Sequence, residues 1–240
     1  MSKKELKICA ISDLHGDFPE IKEPCDILLI AGDISPLDIQ NNMVKMKVWL
    51  ETEFSFWIKS IPCDKVFLIG GNHDKFLEKI SQANLYTFEK QLEGKLKYLM
   101  NEEYNYIDKN LNSWSIFGTP YCHIFGNWSF MHSDEFMTEK FKNIPDKVDI
   151  IISHDPPFNI GNVDVVLEQT RWSNHALEHL GNEPLRKRLE EIKFKFMCSG
   201  HIHSGEHDLV QFDEGMCVNV SIKNEQYKVT YPPFYYTLYK

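Results

Sequence analysis

Five short apolar runs punctuate the chain, and each ends in a polar loop: residues 6–11 (LKICAI), 26–32 (DILLIAG), 65–70 (KVFLIG), 148–153 (VDIIIS) and 194–200 (FKFMCSG). Apolar runs this short, with almost no polar alternation, predict strands buried on both faces. Amphipathic stretches between them predict helices at 39–60, where Val44, Val48, Trp49, Phe56 and Ile58 recur, and again at 76–100 and 184–192. Strands alternating with helices predict an α/β fold with a largely parallel sheet. Residues 112–120 and 208–239 read as antiparallel additions, and Pro232 and Pro233 confine the last stretch to an edge strand or a turn.

No repeat or linker divides the chain, which predicts a single domain over 1–240. Residues 156–183 break the pattern with Pro156, Pro157, Gly161 and Gly181 between two of the strongest strands. A segment of that length with little periodicity reads as a functional lid or insert, the alternative being a solvated connector with one helix at 163–169.

Each buried run is followed within a few residues by side chains that bind metals. Asp13 and His15 follow the first, Asp33 the second, Asn72, His73 and Asp74 the third, His154 the fourth, and His201 and His203 the fifth. The C-terminal ends of parallel strands open on one crevice, where such folds bind ligands, so residues far apart in the chain converge. Singly, each motif also fits a turn or a helix N-cap. Five of them, at the ends of five buried strands, point to one site. Asp, Asn and His without Cys form a nitrogen and oxygen donor set suited to manganese, iron, nickel, cobalt or zinc. Two Asp, one Asn and four His overfill one ion. They suffice for two ions about 3.5–4 Å apart that share a carboxylate, the usual device for cleaving phosphate esters.

Charge sharpens this picture. With 26 basic and 35 acidic side chains the net charge is −9, a field that disfavours nucleic acid and anionic membranes as partners. Only Arg171, Arg186 and Arg188 supply guanidinium groups, so a bound phosphate must be held by something else, and metal ions are the candidates. The six cysteines form no C-x-x-C pair and read as reduced, mostly buried thiols. The apolar stretch near the N-terminus is far shorter than that of a signal peptide, and no window approaches 18 apolar residues. A cytoplasmic protein is therefore expected, with its oligomeric state left open.

In the order D-x-H, G-D, G-N-H-D, H, G-H-x-H, the motifs from Asp13 to His203 resemble the calcineurin-like metallophosphoesterase superfamily. The resemblance implies an αββα sandwich of mixed β-sheets flanked by helices, with a binuclear metal site at the C-terminal ends of the strands. It implies that Asp13, His15 and His203 hold one ion, that Asn72, His154 and His201 hold the other, and that Asp33 bridges them. His73 would face the substrate as the catalytic residue, and Asp74 would orient it. The superfamily's phosphoprotein phosphatases follow the bridging Asp with an acidic residue and an Arg, and place Glu after the Asn-His pair. Here Asp33 is followed by Ile34-Ser35-Pro36-Leu37-Asp38 and His73 by Asp74, so the chain looks more like the small metallophosphodiesterase branch. Two departures from the group acting on cyclic nucleotides leave the subfamily open. Asp155 follows His154 where that group has Gly, and Glu206-His207 follow Gly205.

The expected function is hydrolysis of phosphodiester bonds in small, cyclic-nucleotide-like substrates. A hydroxide bridging two divalent ions, manganese first, would attack phosphorus, and His73 would stabilise the transition state or protonate the leaving group. Phe125, Trp128, Phe158 and Trp172 are candidates for base stacking, and Arg171 and His175 for phosphate contact. A phosphomonoesterase or nuclease of the same superfamily, or a non-catalytic scaffold with its fold, are the alternatives.

Overall fold

The computed structural model describes residues 4–167, 169, 173, 175–203 and 207–240. Its strands in chain order begin with β1 (Glu5–Ile11), β2 (Ile27–Ile30), β3 (Lys65–Leu68), β4 (Leu96–Tyr98), β5 (Glu102–Ile107) and β6 (Ser113–Thr119). They continue with β7 (Lys147–Ser153), β8 (Val165–Val166), β9 (Glu178–His179), β10 (Lys193–Ser199), β11 (Val210–Phe212), β12 (Gly215–Asn219) and β13 (Phe234–Tyr239). The helices are α1 (Met43–Trp49), α2 (Ser55–Ser60), α3 (Lys75–Lys79), α4 (Gln82–Gln91), α5 (Asp134–Phe141) and α6 (Glu183–Glu191).

Two sheets stack face to face. One has the order β13-β1-β2-β3-β4, and the other β11-β12-β10-β7-β6-β5. The inner strands β1, β2 and β3 are parallel, as are β6, β7, β10 and β12, while β13, β11 and β5 add antiparallel edges. Side chains alternate across each strand, so Leu6, Ile8 and Ala10 of β1 enter the core between the sheets. Cys9 and Ile11 enter a second core, under Met46 and Trp49 of α1 and Trp57 and Ile58 of α2. A third core packs Met137 and Phe141 of α5 and Leu185 and Leu189 of α6 on the outer face of the second sheet. Four layers result, the αββα sandwich that the motif resemblance implies, with the inner strands mostly apolar on both faces.

Local chemistry places the helices. Asn42, Ser81, Ser133 and Asn182 each accept a bond from the backbone N–H three residues on, capping α1, α4, α5 and α6. Between α1 and α2 the helical path widens into a π-turn at Leu50–Phe54, where the Ser55 hydroxyl donates to the Leu50 carbonyl (2.6 Å).

Some expectations need correction. The stretch 76–100 is not one helix but α3, α4 and strand β4, because Glu93 (φ 53°) and Gly94 (φ 76°) turn the chain out of the helix. Residues 112–120 form β6, antiparallel to β5 but parallel to β7, so they sit inside the sheet rather than adding to its edge. Among the described residues of 163–169 there is no helix; Val165–Val166 pairs with Glu178–His179 in a short hairpin. β13 is an edge strand that starts just after the two prolines.

Phe67 is fully buried between the sheets, with its ring 5.5 Å from Tyr104 and 6.0 Å from Tyr106. Phe67→Ala should lower unfolding free energy by about 3–5 kcal/mol with an unchanged urea m-value. A loss under about 1 kcal/mol would mean that the inter-sheet core does not hold the two sheets together.

Candidate metal centre

The loops that leave β1, β2, β3, β7 and β10 meet where the two sheets touch. Their backbones are bent hard. Asp13 (φ 58°), His15 (φ 44°), Asp33 (φ 53°) and His201 (φ 69°) all adopt the left-handed conformation, which non-glycine residues seldom take. Close approach explains the adjacent glycines: a Cβ on Gly200 would collide with the Asp13 carboxylate, and one on Gly71 with that of Asp33.

Ligand atoms of Asp13, His15 and His203 lie within 4.8 Å of one another, as do those of Asp13, Asp33 and His154. His15 Nε2 stands 3.8 Å from Asp33 Oδ2, and His154 Nε2 stands 3.5 Å from the same oxygen. His154 Nε2 is also 2.9 Å from Asn72 Oδ1, and the His201 ring is 5.1 Å from that of His154. Every residue predicted to bind metal is therefore in one cluster with Asp33 at its middle, buried except for the half-buried His201.

The donors suit divalent cations. Neither ring nitrogen of His15, both buried, has a hydrogen-bond partner among the described residues, an arrangement that costs free energy unless an ion takes the lone pair. His154 donates from Nδ1 to the Ala31 carbonyl (2.7 Å), and His203 Nδ1 faces the Asn224 carbonyl (3.2 Å). Each bond orients its ring so that Nε2 points into the cluster, as for metal-ligating imidazoles.

Electrostatics divides the histidines into two kinds. Burial holds His15 at a pKa of about 4 and His201 at about 3, so both are neutral and ready to ligate. Burial also pushes His154 down, but the Asp33 carboxylate outweighs it and lifts His154 to about 10; Asp13 raises His203 in the same way. In return, against their own desolvation, Asp13 is held low by His203 and Asp33 by His154. Without metal, each buried carboxylate thus favours the protonated form of the imidazole beside it.

His73 lies in the same cavity, with its backbone N–H on Asp33 Oδ1 (2.7 Å) and its ring 4.5 Å from Trp128. The expected role of Asp74 is not what the geometry provides. Its carboxylate accepts from the backbone of Ile34, Ser35 and Gly71 and from the Ser35 hydroxyl (2.6 Å). Those four bonds brace the β2 and β3 loops and leave nothing for His73, and burial raises the Asp74 carboxyl to about 7. The His73 ring is instead held through Nδ1 by Gln40 Oε1 at 2.8 Å. No periodicity or motif marks Gln40 in advance.

A cavity of about 830 Å³ opens over the cluster, lined by Trp128, Phe125, Tyr227 and Tyr231 among others. Tyr227 stands edge-on to His15 and His203, with ring centroids 5.0 and 5.1 Å away. Phe125 and Trp128 are thus in the site as expected, whereas Phe158 packs near His179 and is not in the lining. His175 is exposed and outside the cavity, while Arg171 and Trp172 lie outside the described residues. His123 lines the cavity and was not anticipated, although it follows the end of β6 as the metal-binding residues follow their own strands.

An αββα sandwich with a buried Asp, Asn and His cluster at its strand ends has the make-up of a metal-dependent phosphoester hydrolase. The chain belongs to the calcineurin-like phosphoesterase family, which it matches over residues 6–205. Metallophosphoesterase domain-containing protein 1 of Homo sapiens is 24% identical over 243 residues, covering 95% of this chain and 69% of that protein. The UPF0046 protein C25E10.12 of Caenorhabditis elegans is 22% identical, covering 98% and 82%. A solved structure at 15% identity superposes with a TM-score of 0.63 over 90% of both chains, which supports the fold. No helix among the described residues is long and apolar enough to cross a membrane.

Divalent ions entering the cluster must displace the proton on His154 Nε2. Adding Mn²⁺ to metal-free protein near neutral pH should therefore release protons, and affinity should fall as pH is lowered, because protons and metal compete for the same nitrogen. Thermal stability should rise with free metal, by about 2.7 kcal/mol at 100 times Kd. Asp33→Asn should abolish both effects. Mn²⁺ uptake with no proton release would contradict the assigned protonation.

Proposed function

We propose that the protein hydrolyses phosphodiester bonds of small substrates that carry a flat ring, cyclic nucleotides being the model class. The observation that carries this reading is the cavity lining: aromatic residues in its walls and, among the described residues, no Lys or Arg. A phosphomonoester brings two negative charges and a diester one, so a lining that adds no basic side chain to the two ions favours the diester. The aromatic rings offer a face on which a base can stack, worth about 1–3 kcal/mol per base.

Asp13, His15 and His203 would hold one divalent ion, and Asn72, His154 and His201 the other, with Asp33 between them. When bound, the ions supply Lewis acidity and an activated water, and manganese is the first candidate. The residues around them do the rest. Ala31 and Asn224 carbonyls hold the ligand rings of His154 and His203 in place. Gln40 holds His73 by Nδ1, which leaves Nε2 as the nitrogen able to carry a proton to the departing alkoxide. Trp128 against the His73 ring keeps water from that side. The segment 156–183 contributes Val166, Leu167, Gln169 and Leu180 to the lining and serves as a lid or insert of the single domain.

Two measurements test this reading. With Mn²⁺, kcat/KM should be higher on bis-p-nitrophenyl phosphate than on p-nitrophenyl phosphate, and a panel of 2′,3′- and 3′,5′-cyclic nucleotides should include a substrate. The reverse order on the two chromogenic esters would overturn the diester preference.

The second test concerns His73. His73→Ala should keep both ions, because the ring makes no ligand bond, while turnover falls by roughly 10²-fold or more on alkoxide leaving groups. The loss should be smaller for p-nitrophenolate, which departs without much help from an acid. Loss of metal in His73→Ala, or full activity on a poor leaving group, would overturn the role.

A further inference from the structure

His123 and Asp155 form a pair that the seven-ligand cluster does not use. Asp155 follows His154 directly and is fully buried. A buried carboxylate costs several kcal/mol unless it is well paired. Asp155 Oδ2 accepts three bonds: from the His123 backbone N–H (3.0 Å), from His123 Nδ1 (2.8 Å) and from Asn182 Nδ2 (3.1 Å). Two of the three go to one residue, so backbone and ring of His123 are both clamped. Packing alone needs no such arrangement, which an apolar side chain would satisfy at lower cost.

The clamp leaves one polar atom of the ring unspent. Nδ1 is taken by Asp155, and Nε2 has no hydrogen-bond partner among the described residues. The side chain remains 27% exposed, and His123 is part of the cavity lining. Its ring lies 6.2 Å from that of His201 and 5.6 Å from that of Phe125. A substrate group that meets an ion on His201 while lying beside His123 is the phosphoryl group. The described lining residues include no Lys or Arg, so besides the ions its oxygens would depend on the imidazoles and amides that are present.

We propose that His123, clamped by Asp155, is a substrate-binding residue whose Nε2 hydrogen-bonds a phosphoryl oxygen. This deepens the phosphoesterase reading above and rests on it. Asp155 acts through His123 as a positioning residue, and Asn182 supports Asp155 from the start of α6.

The test separates the clamp from the contact. His123→Asn keeps an amide N–H near the Nδ1 position for Asp155 but has no atom at Nε2, whereas His123→Gln places an amide near Nε2. Each variant of the full chain, loaded with Mn²⁺, is measured for metal content, for binding of inorganic phosphate by calorimetry, and for KM and kcat on bis-p-nitrophenyl phosphate. His123→Asn should retain both ions and weaken phosphate binding about 10-fold or more, the loss typical of a hydrogen bond to a charged group. KM should rise in step, with kcat changed much less. His123→Gln should recover most of the phosphate affinity. Asp155→Ala combined with His123→Asn should bind phosphate no more weakly than His123→Asn alone, since the clamp acts only through the ring.

If His123→Asn binds phosphate and substrate like the unaltered protein, the ring only satisfies Asp155 and the proposal falls. If the unaltered protein binds phosphate through His123 yet cleaves no ester, the hydrolase reading fails while the binding assignment stands.

Discussion

Two carboxylates buried where the sheets meet set the terms for the rest of this structure. Asp13 and Asp33 are almost wholly removed from water, and each bare charge would cost several kcal/mol there. The fold meets that cost with imidazoles brought in from the other sheet: His154 from the end of β7 against Asp33, and His203 from beyond β10 against Asp13. Backbone donors finish the task, the His73 N–H on Asp33 and the His201 N–H on Asp13. The two sheets are therefore joined at this end by charge as well as by apolar packing. Divalent ions in place of such protons would keep the carboxylates satisfied and add positive charge, the sign a phosphate ester requires.

The same seam explains the strain. Four residues of the cluster hold left-handed backbones because the strands run straight into it and their side chains must turn back toward a common point. Glycines sit where a Cβ would occupy the space of a carboxylate. Ser12 ties the arrangement together: its amide donates to the Val220 carbonyl across the sheets (2.8 Å), and its hydroxyl to the Ala31 carbonyl (2.9 Å). The Ala31 carbonyl also accepts from His154, so one peptide group serves both sheets. Rigidity at this point is a condition for catalysis, because ligand positions must hold to a fraction of an ångström.

The outer part of the cavity follows different rules. Phe125, Trp128, Tyr227 and Tyr231 come from loops after β6 and between β12 and β13, and Val166, Leu167 and Leu180 from the 156–183 segment. Gln169, Asn224, Glu225 and Gln226 add polar groups from the same loops, and these surfaces can vary without disturbing the seam. The Asp, Asn and His cluster is thus built on the strand ends and the outer lining of the cavity on the loops, the division common in α/β folds.

How much was legible in the chain depends on the range of the interaction. The five apolar runs announce the parallel strands because burial on both faces leaves no room for polar residues. The residues expected to bind metal are legible because each follows its own strand end, a rule local in sequence that becomes a cluster only when the strands align. The stretch 76–100 was misread because its apolar positions serve two helices and a strand, and the break at Glu93-Gly94 is a matter of φ angles rather than of periodicity. Gln40 beside His73, Asp74 bracing the β2 loop, and His123 clamped by Asp155 were decided by the tertiary structure alone. Each is a hydrogen bond between segments 32 to 40 positions apart, and no residue in such a pair reveals its partner until the chain brings the two within 3 Å. The sequence by itself therefore determined the layers and the donor set, because burial and residue chemistry are properties of positions. Which ring each carboxylate or amide holds, and so which nitrogens are left free of those bonds, was settled by packing, because a hydrogen bond is a property of pairs.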